Sequence, residues 1–171
     1  MSNPEFTKWI YNTEALLRGT FLRMAVDSEF MLCMIIVSIY KDNPLEINTH
    51  FKKDKDHYKG LHEMNMEEKI ALTKIALNKY HQSFFNQYKE DINKLDFLRE
   101  DRNMFAHSKM DFYENDRDAV MISKMVNKLK VRQDLYKISF IKDQLLQHHK
   151  VITNVLGLLM DFIKPAPLPV E

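Results

Sequence analysis

The stretch whose reading decides the fold runs from Leu98 to Phe112, LREDRNMFAHSKMDF. Up to His107 its apolar residues keep a helical rhythm. From Ser108 onward polar and apolar residues alternate, as they do in a strand. At the changeover stand Arg102, Asn103 and His107. Upstream, Tyr88, Ile92, Leu95, Leu98 and Phe105 form the apolar stripe of a helix over about 83–107. Positions 88, 92, 95, 99, 102 and 106 also follow one another at four-three spacing, which puts Arg102 in line with Ile92 and Leu95. A charged side chain on such a stripe needs a partner, or else marks a cleft or an interface.

Working toward the N-terminus, a first long helical pattern covers about residues 5–40, with Leu17, Phe21, Met24, Ser28, Met31 and Ile35 on one stripe. Gly19 leaves open whether this is one helix or two. Pro44 in KDNPLE ends it. Residues 49–65 are polar and read as loop with room for a short helix. A second helix opens at Asn65, where Asn65-x-x-Glu68 has the form of a capping box, and ends near His81. Ile70, Leu72, Ile75 and Leu77 supply its apolar content. Working toward the C-terminus, SKMDFYEND and DAVMISKMV read as two strands around a polar turn, and KLKVRQDLYKISF as a third. Ser139 precedes a last helix over about 140–163. The expected class is mainly α: a bundle of four to five helices with a small hairpin or short strands before the last one. The expected organisation is a single domain over 1–163 and a Pro-rich mobile tail over 164–171.

The chain has 171 residues, enough for a sizeable core. Its formal net charge of +1 means that contact with nucleic acid must come from local patches. Three glycines argue against a turn-rich β fold and against a phosphate loop. One cysteine, Cys33, excludes an intrachain disulfide and fits a reducing compartment. MSNPEFTKWI has no signal-peptide pattern, and no run of about 18 residues is apolar enough to span a membrane. A cytoplasmic protein without membrane attachment is expected.

The residue types around position 102 suit phosphate chemistry. Arg holds phosphate oxygens through its planar fork and offsets developing negative charge. His transfers protons near neutral pH. His107 falls in the last turn of its helix, where the negative end of the macrodipole favours a cation. Asn103 and His107 are four apart and share a face. Arg102 and His107 lie about 140° apart around an ideal helix, a gap that the long Arg side chain would close in part and two copies meeting across a dimer axis would close better. Given an RNA strand, whose 2′-hydroxyl is a built-in nucleophile, Arg and His suffice for cleavage by internal transesterification. The same residues also occur at helix ends simply because cations and short polar side chains are favourable there, and spacing alone does not separate the two readings.

DRNMFAHS, preceded by INKLDFLRE, resembles the signature of the HEPN superfamily: Arg, four to six residues, then His, often with a polar residue directly after the Arg. The order of a long first helix, a helix such as EEKIALTKIAL, a motif helix, a strand-containing insertion and a final helix resembles the family layout over roughly residues 10–163. The resemblance implies a helical bundle that dimerises and joins two motifs in one composite site. It implies a metal-independent endoribonuclease of the toxin or anti-phage defence kind, with Arg102 on the scissile phosphate, His107 as general acid or base and Asn103 as a positioning group. It also implies an RNA substrate and an antitoxin or defence-system partner. Toxins of the family that pair with minimal nucleotidyltransferases usually carry Tyr two residues after the motif His. Lys109 stands there, which argues against that pairing and leaves the nuclease reading intact.

Supporting candidates follow. Glu29 borders the apolar face formed with Val26 and Cys33, and an acidic residue on an early helix near the motif is a family habit. It would hold Arg102 or orient His107, with Asp27 a weaker candidate; an ordinary rim glutamate is the plainer reading. Lys128, Lys130 and Arg132 share a face if KLKVRQD is a strand and, with Lys109, would grip RNA phosphates. An edge strand guarded by charge has the same pattern. His148 and His149 are adjacent on a helix and point apart, with no ligand at zinc spacing, so no metal and no cofactor are assigned. Three functional readings stand: a HEPN-type nuclease, a non-catalytic HEPN dimerisation or partner-binding module, and an RNA- or nucleotide-binding regulator that does not cleave.

Overall fold

The computed structural model describes residues 3–127 and 130–163, leaving aside the side chains of Arg102, Val126 and Asn127. The expectations placed on Lys128 and on the tail 164–171 lie outside the described residues. The chain is mainly helical, with a three-stranded sheet before the last helix, the class expected from its patterning. Among the described residues no helix is long and apolar enough to cross a membrane. The helices are α1 (Pro4–Ile39), α2 (Met66–Tyr80), α3 (Gln82–Gln87), α4 (Lys89–Asn93), α5 (Asp96–His107) and α6 (Ile138–Ile163). The strands are β1 (Ser108–Phe112), β2 (Ala119–Asn127) and β3 (Lys130–Lys137). Short 3₁₀ turns occupy Pro44–Thr49 and Leu61–Glu63.

Local signals account for most of these boundaries. Asn3 accepts from the Glu5 N–H at 3.0 Å, with Pro4 at the first helical position, where its missing N–H costs nothing. α1 then runs unbroken through Gly19, so the first pattern is one helix. The α2 capping box is complete: Asn65 Oδ1 accepts from the Glu68 N–H at 3.0 Å, and Glu68 Oε2 from the Asn65 N–H at 2.9 Å. α6 begins at Ile138, and its cap is not its own Ser139. Asp118 takes the Ser139 N–H and hydroxyl at 2.9 Å each, an anion at a helix N-terminus. These bonds hold the Asp118 carboxyl below its ordinary range.

The helix expected over 83–107 is instead three. Tyr88 leaves helical geometry at φ −113°, ψ 19°. Around residue 94 the chain advances by three-residue turns, with Lys94 N–H donating to Asp91 O at 2.9 Å and Phe97 N–H to Lys94 O at 3.0 Å. Each tight turn rotates the helical phase. The apolar stripe of Ile92, Leu95, Leu98 and Phe105 is buried as expected, whereas the strict four-three line that ends at residue 106 does not carry across the breaks. In α5 the buried positions are Leu98, Asp101 and Phe105, continued by Ser108, and Ala106, on the expected stripe, is exposed.

The described residues form two compact units, one of residues up to Ala25 with Glu100–Lys150, the other of Val26–Arg99 with residues from Val151 onward. In the first, β1, β2 and β3 form an antiparallel meander in that order. Met110, Val120 and Ile122 turn inward from the sheet and pack with Leu17, Phe21, Ala25, Phe105, Ile138, Ile141 and Leu145. Phe21 and Phe105 stack with ring centroids 5.0 Å apart. Trp9 stacks on Phe6 and meets Phe112 edge-on. The second unit has its own core, centred on Leu32, Ile35 and Ile36 of α1, Leu72 and Leu77 of α2, Ile92, Leu95, and Leu156 and Leu159 of α6. Ile75, expected to be apolar lining of α2, faces outward.

Candidate functional site at the end of α5

α5 is twelve residues long and ends at His107, with β1 following directly at Ser108. Its phase is set by what it buries in the first unit. Phe105 is 1% exposed against Phe21 of α1, and Asp101 is 3% exposed. The opposite side, with Asn103, Ala106 and His107, faces solvent. Asn103 and His107 are one turn apart on that exposed side, as their spacing implied. Arg102 lies between Asp101 and Asn103 in the helix, and its side chain is outside the description.

Among the described side chains of this helix, the buried charged one is Asp101. Its carboxylate receives His148 of α6, with Nδ1 at 2.9 Å from Oδ1 and 3.0 Å from Oδ2. Burial pushes the Asp101 carboxyl up, and the His148 hydrogen bond pulls it back. Sequence reasoning missed this pair, although its signal was present: Ile141, Leu145, His148 and Ile152 repeat at four-three spacing, so His148 lies on the buried stripe of α6.

The end of α5 has a second unforeseen partner. The last carbonyls of a helix lack intrahelical donors. Here Arg18 of α1 supplies one of them, Nη1 donating to Phe105 O, while Nη2 donates to Ser108 O at the start of β1 at 2.9 Å. Its Nε donates to Glu14 Oε1 at 2.8 Å, one turn back along α1. The guanidinium thus bridges from helix to strand across His107. No periodic pattern announces it, because Arg18 sits beside the stripe of Leu17 and Phe21 and looks like a solvated surface residue.

The remaining candidates are placed as follows. Glu29 belongs to the second unit and accepts from Lys69 of α2, whose side chain is nearly buried. Lys109 is exposed on β1 and pairs with Asp111 at 2.7 Å. Lys130 and Arg132 do share one face of β3, and Arg132 is engaged by Asp134 at 2.8 Å. Both are exposed, on a strand that among the described residues pairs with β2 alone.

Set against known proteins, the chain matches no family model, no curated protein and no solved structure. What the site can do therefore rests on its own chemistry. An exposed imidazole at a helix end, an exposed amide one turn before it and an arginine adjacent to that amide form a set suited to phosphate binding and proton transfer.

Proposed function

We propose that the chain is a cytoplasmic, metal-independent endoribonuclease of the HEPN type, acting as a dimer whose two α5 ends complete one site. The observation that carries the reading is the exposure of Asn103 and His107, one turn apart, on the solvent side of the C-terminal part of α5, with Arg102 next to Asn103 in the chain. In the reaction the RNA 2′-hydroxyl gives its proton to a base and its oxygen attacks the adjacent phosphorus. The bond from phosphorus to the 5′-oxygen breaks, and that oxygen takes a proton. His107 serves one of these proton transfers, and its copy across the dimer serves the other. Arg102 offsets the charge that builds on the phosphate oxygens, and Asn103 positions the phosphate. Lys109 and Lys130 are placed on exposed strand faces, where they add backbone attraction.

Incubating the purified protein with labelled RNA tests this directly. Cleavage should persist in EDTA and leave a 2′,3′-cyclic phosphate and a 5′-hydroxyl. Activity that requires added magnesium, or products with 5′-phosphates, would refute the mechanism. A non-catalytic dimerisation or partner-binding module is the second reading. It is favoured by Val26, Phe30 and Val37, large apolar side chains exposed along α1 of the second unit. An inert protein that still self-associates would decide for it.

A further inference from the structure

We propose that Arg18 is the positioning residue for His107, and that it aims the imidazole through the backbone. This inference rests on the nuclease reading for its kinetic consequence. The geometry stands independently. The two carbonyls that Arg18 holds belong to the residue two before His107 and the residue directly after it. Those acceptors lie on opposite sides of the helix-to-strand junction, so one rigid planar fork constrains the backbone torsions on which the direction of the His107 side chain depends. Ser108, at the same junction, adds no comparable restraint through its side chain, since its hydroxyl is buried without a hydrogen-bond partner among the described residues.

The fork is itself held from both ends. Glu14 fixes Nε from the same helix, and the side chain is about one quarter exposed, which limits the rotamers open to it. The part of α1 that carries it is anchored by Leu17 and Phe21 in the apolar cluster that also contains Phe105. The guanidinium also places positive charge against the negative end of α5, where orphan carbonyls would otherwise face outward. Arg18 touches backbone carbonyls rather than the reacting atoms, so it acts through His107. The observable consequence is that its loss should slow the chemical step and leave RNA binding alone, because a slight misplacement of a proton-transfer group costs rate while ground-state contacts persist.

Arg18→Gln and Arg18→Lys in the full chain test this, with two measurements on each. Steady-state cleavage of labelled RNA should show kcat lowered about 10²-fold in Arg18→Gln, with KM unchanged. Arg18→Lys should recover only part of the loss, since an ammonium keeps the charge without the fork. In ¹³C-histidine-labelled protein, the His107 cross-peak, assigned from its absence in His107→Ala, should move in both variants, while that of His62 in the second unit stays in place. Wild-type kcat in both variants with an unmoved His107 peak overturns the proposal. So does a loss confined to KM, which would make Arg18 an RNA contact. Should Arg18→Gln fail to fold, Arg18→Lys decides by the same criteria. Should the wild type cleave no RNA, the nuclease reading falls, and the His107 peak alone judges Arg18: displaced supports it, unmoved refutes it.

Discussion

Replacing Phe105 by Ala tests whether the motif helix is held by its ring. The side chain is 1% exposed and stacked on Phe21. Removing a fully buried large apolar group forfeits about 1.5–3 kcal/mol of transfer free energy. The void left behind raises the total to roughly 3–5 kcal/mol. Loss of the ring pair accounts for about 0.5–1.5 kcal/mol of this. The backbone bond from Arg18 survives, because it uses the Phe105 carbonyl. Trp9 is the only tryptophan and packs in the same unit, against Phe6 and Phe112, so its fluorescence reports unfolding there. With a urea m-value of about 1–3 kcal/mol/M, the midpoint should fall by on the order of 2 M. Phe105→Leu, which keeps most of the volume, should cost less than about 1.5 kcal/mol. A double-mutant cycle with Phe21→Leu should show non-additivity, since the two rings touch. A Phe105→Ala loss below about 1 kcal/mol, or a Leu variant as damaged as the Ala variant, would refute the assigned phase of α5.

His107→Ala should lower RNA cleavage by roughly 10²–10⁴-fold while the protein stays folded, because a cation at a helix end contributes at most about 2 kcal/mol; wild-type rates would remove His107 from the site. Arg102→Lys should rescue poorly relative to Arg102→Ala, as an ammonium lacks the planar fork, and a full rescue would count against phosphate clamping. The raised Asp101 carboxyl binds its proton more tightly in the folded chain than in the unfolded one. That contribution is complete below the ordinary Asp value of about 3.9 and is lost as pH climbs through the raised value. Asp101→Asn removes it, so the variant should gain stability relative to wild type as pH rises from about 3.5 to 7 in urea titrations; a constant or falling difference would contradict this. Light scattering at micromolar concentration should report twice the 20.4 kDa chain mass, as an isologous dimer requires, and the single-chain mass would count against assembly.

What could be read along the chain was whatever a few neighbouring residues decide between them. Asn65 and Glu68 announce the start of α2 because a capping box closes within four residues. The alternation in SKMDF and VMIS marks strands because side-chain period follows backbone geometry, and the pairs Met110–Ile122 and Phe112–Val120 put the apolar members on one face. Arg102, Asn103 and His107 were visible as a motif for the same reason, being a matter of spacing on one helix. Tertiary structure decided the rest. The turns at Tyr88 and Lys94 shift the helical phase, and among the described side chains of α5 the buried charged one is Asp101, a position off the four-three line of the sequence pattern. His148 meets Asp101 across 47 residues, Lys69 claims Glu29 across 40, and Arg18 reaches Ser108 across 90. Each partnership joins a charged or polar group to the side chain or backbone of another element. Its free energy comes from desolvation and hydrogen bonding that exist only once the elements are packed, and no local pattern encodes which element that will be.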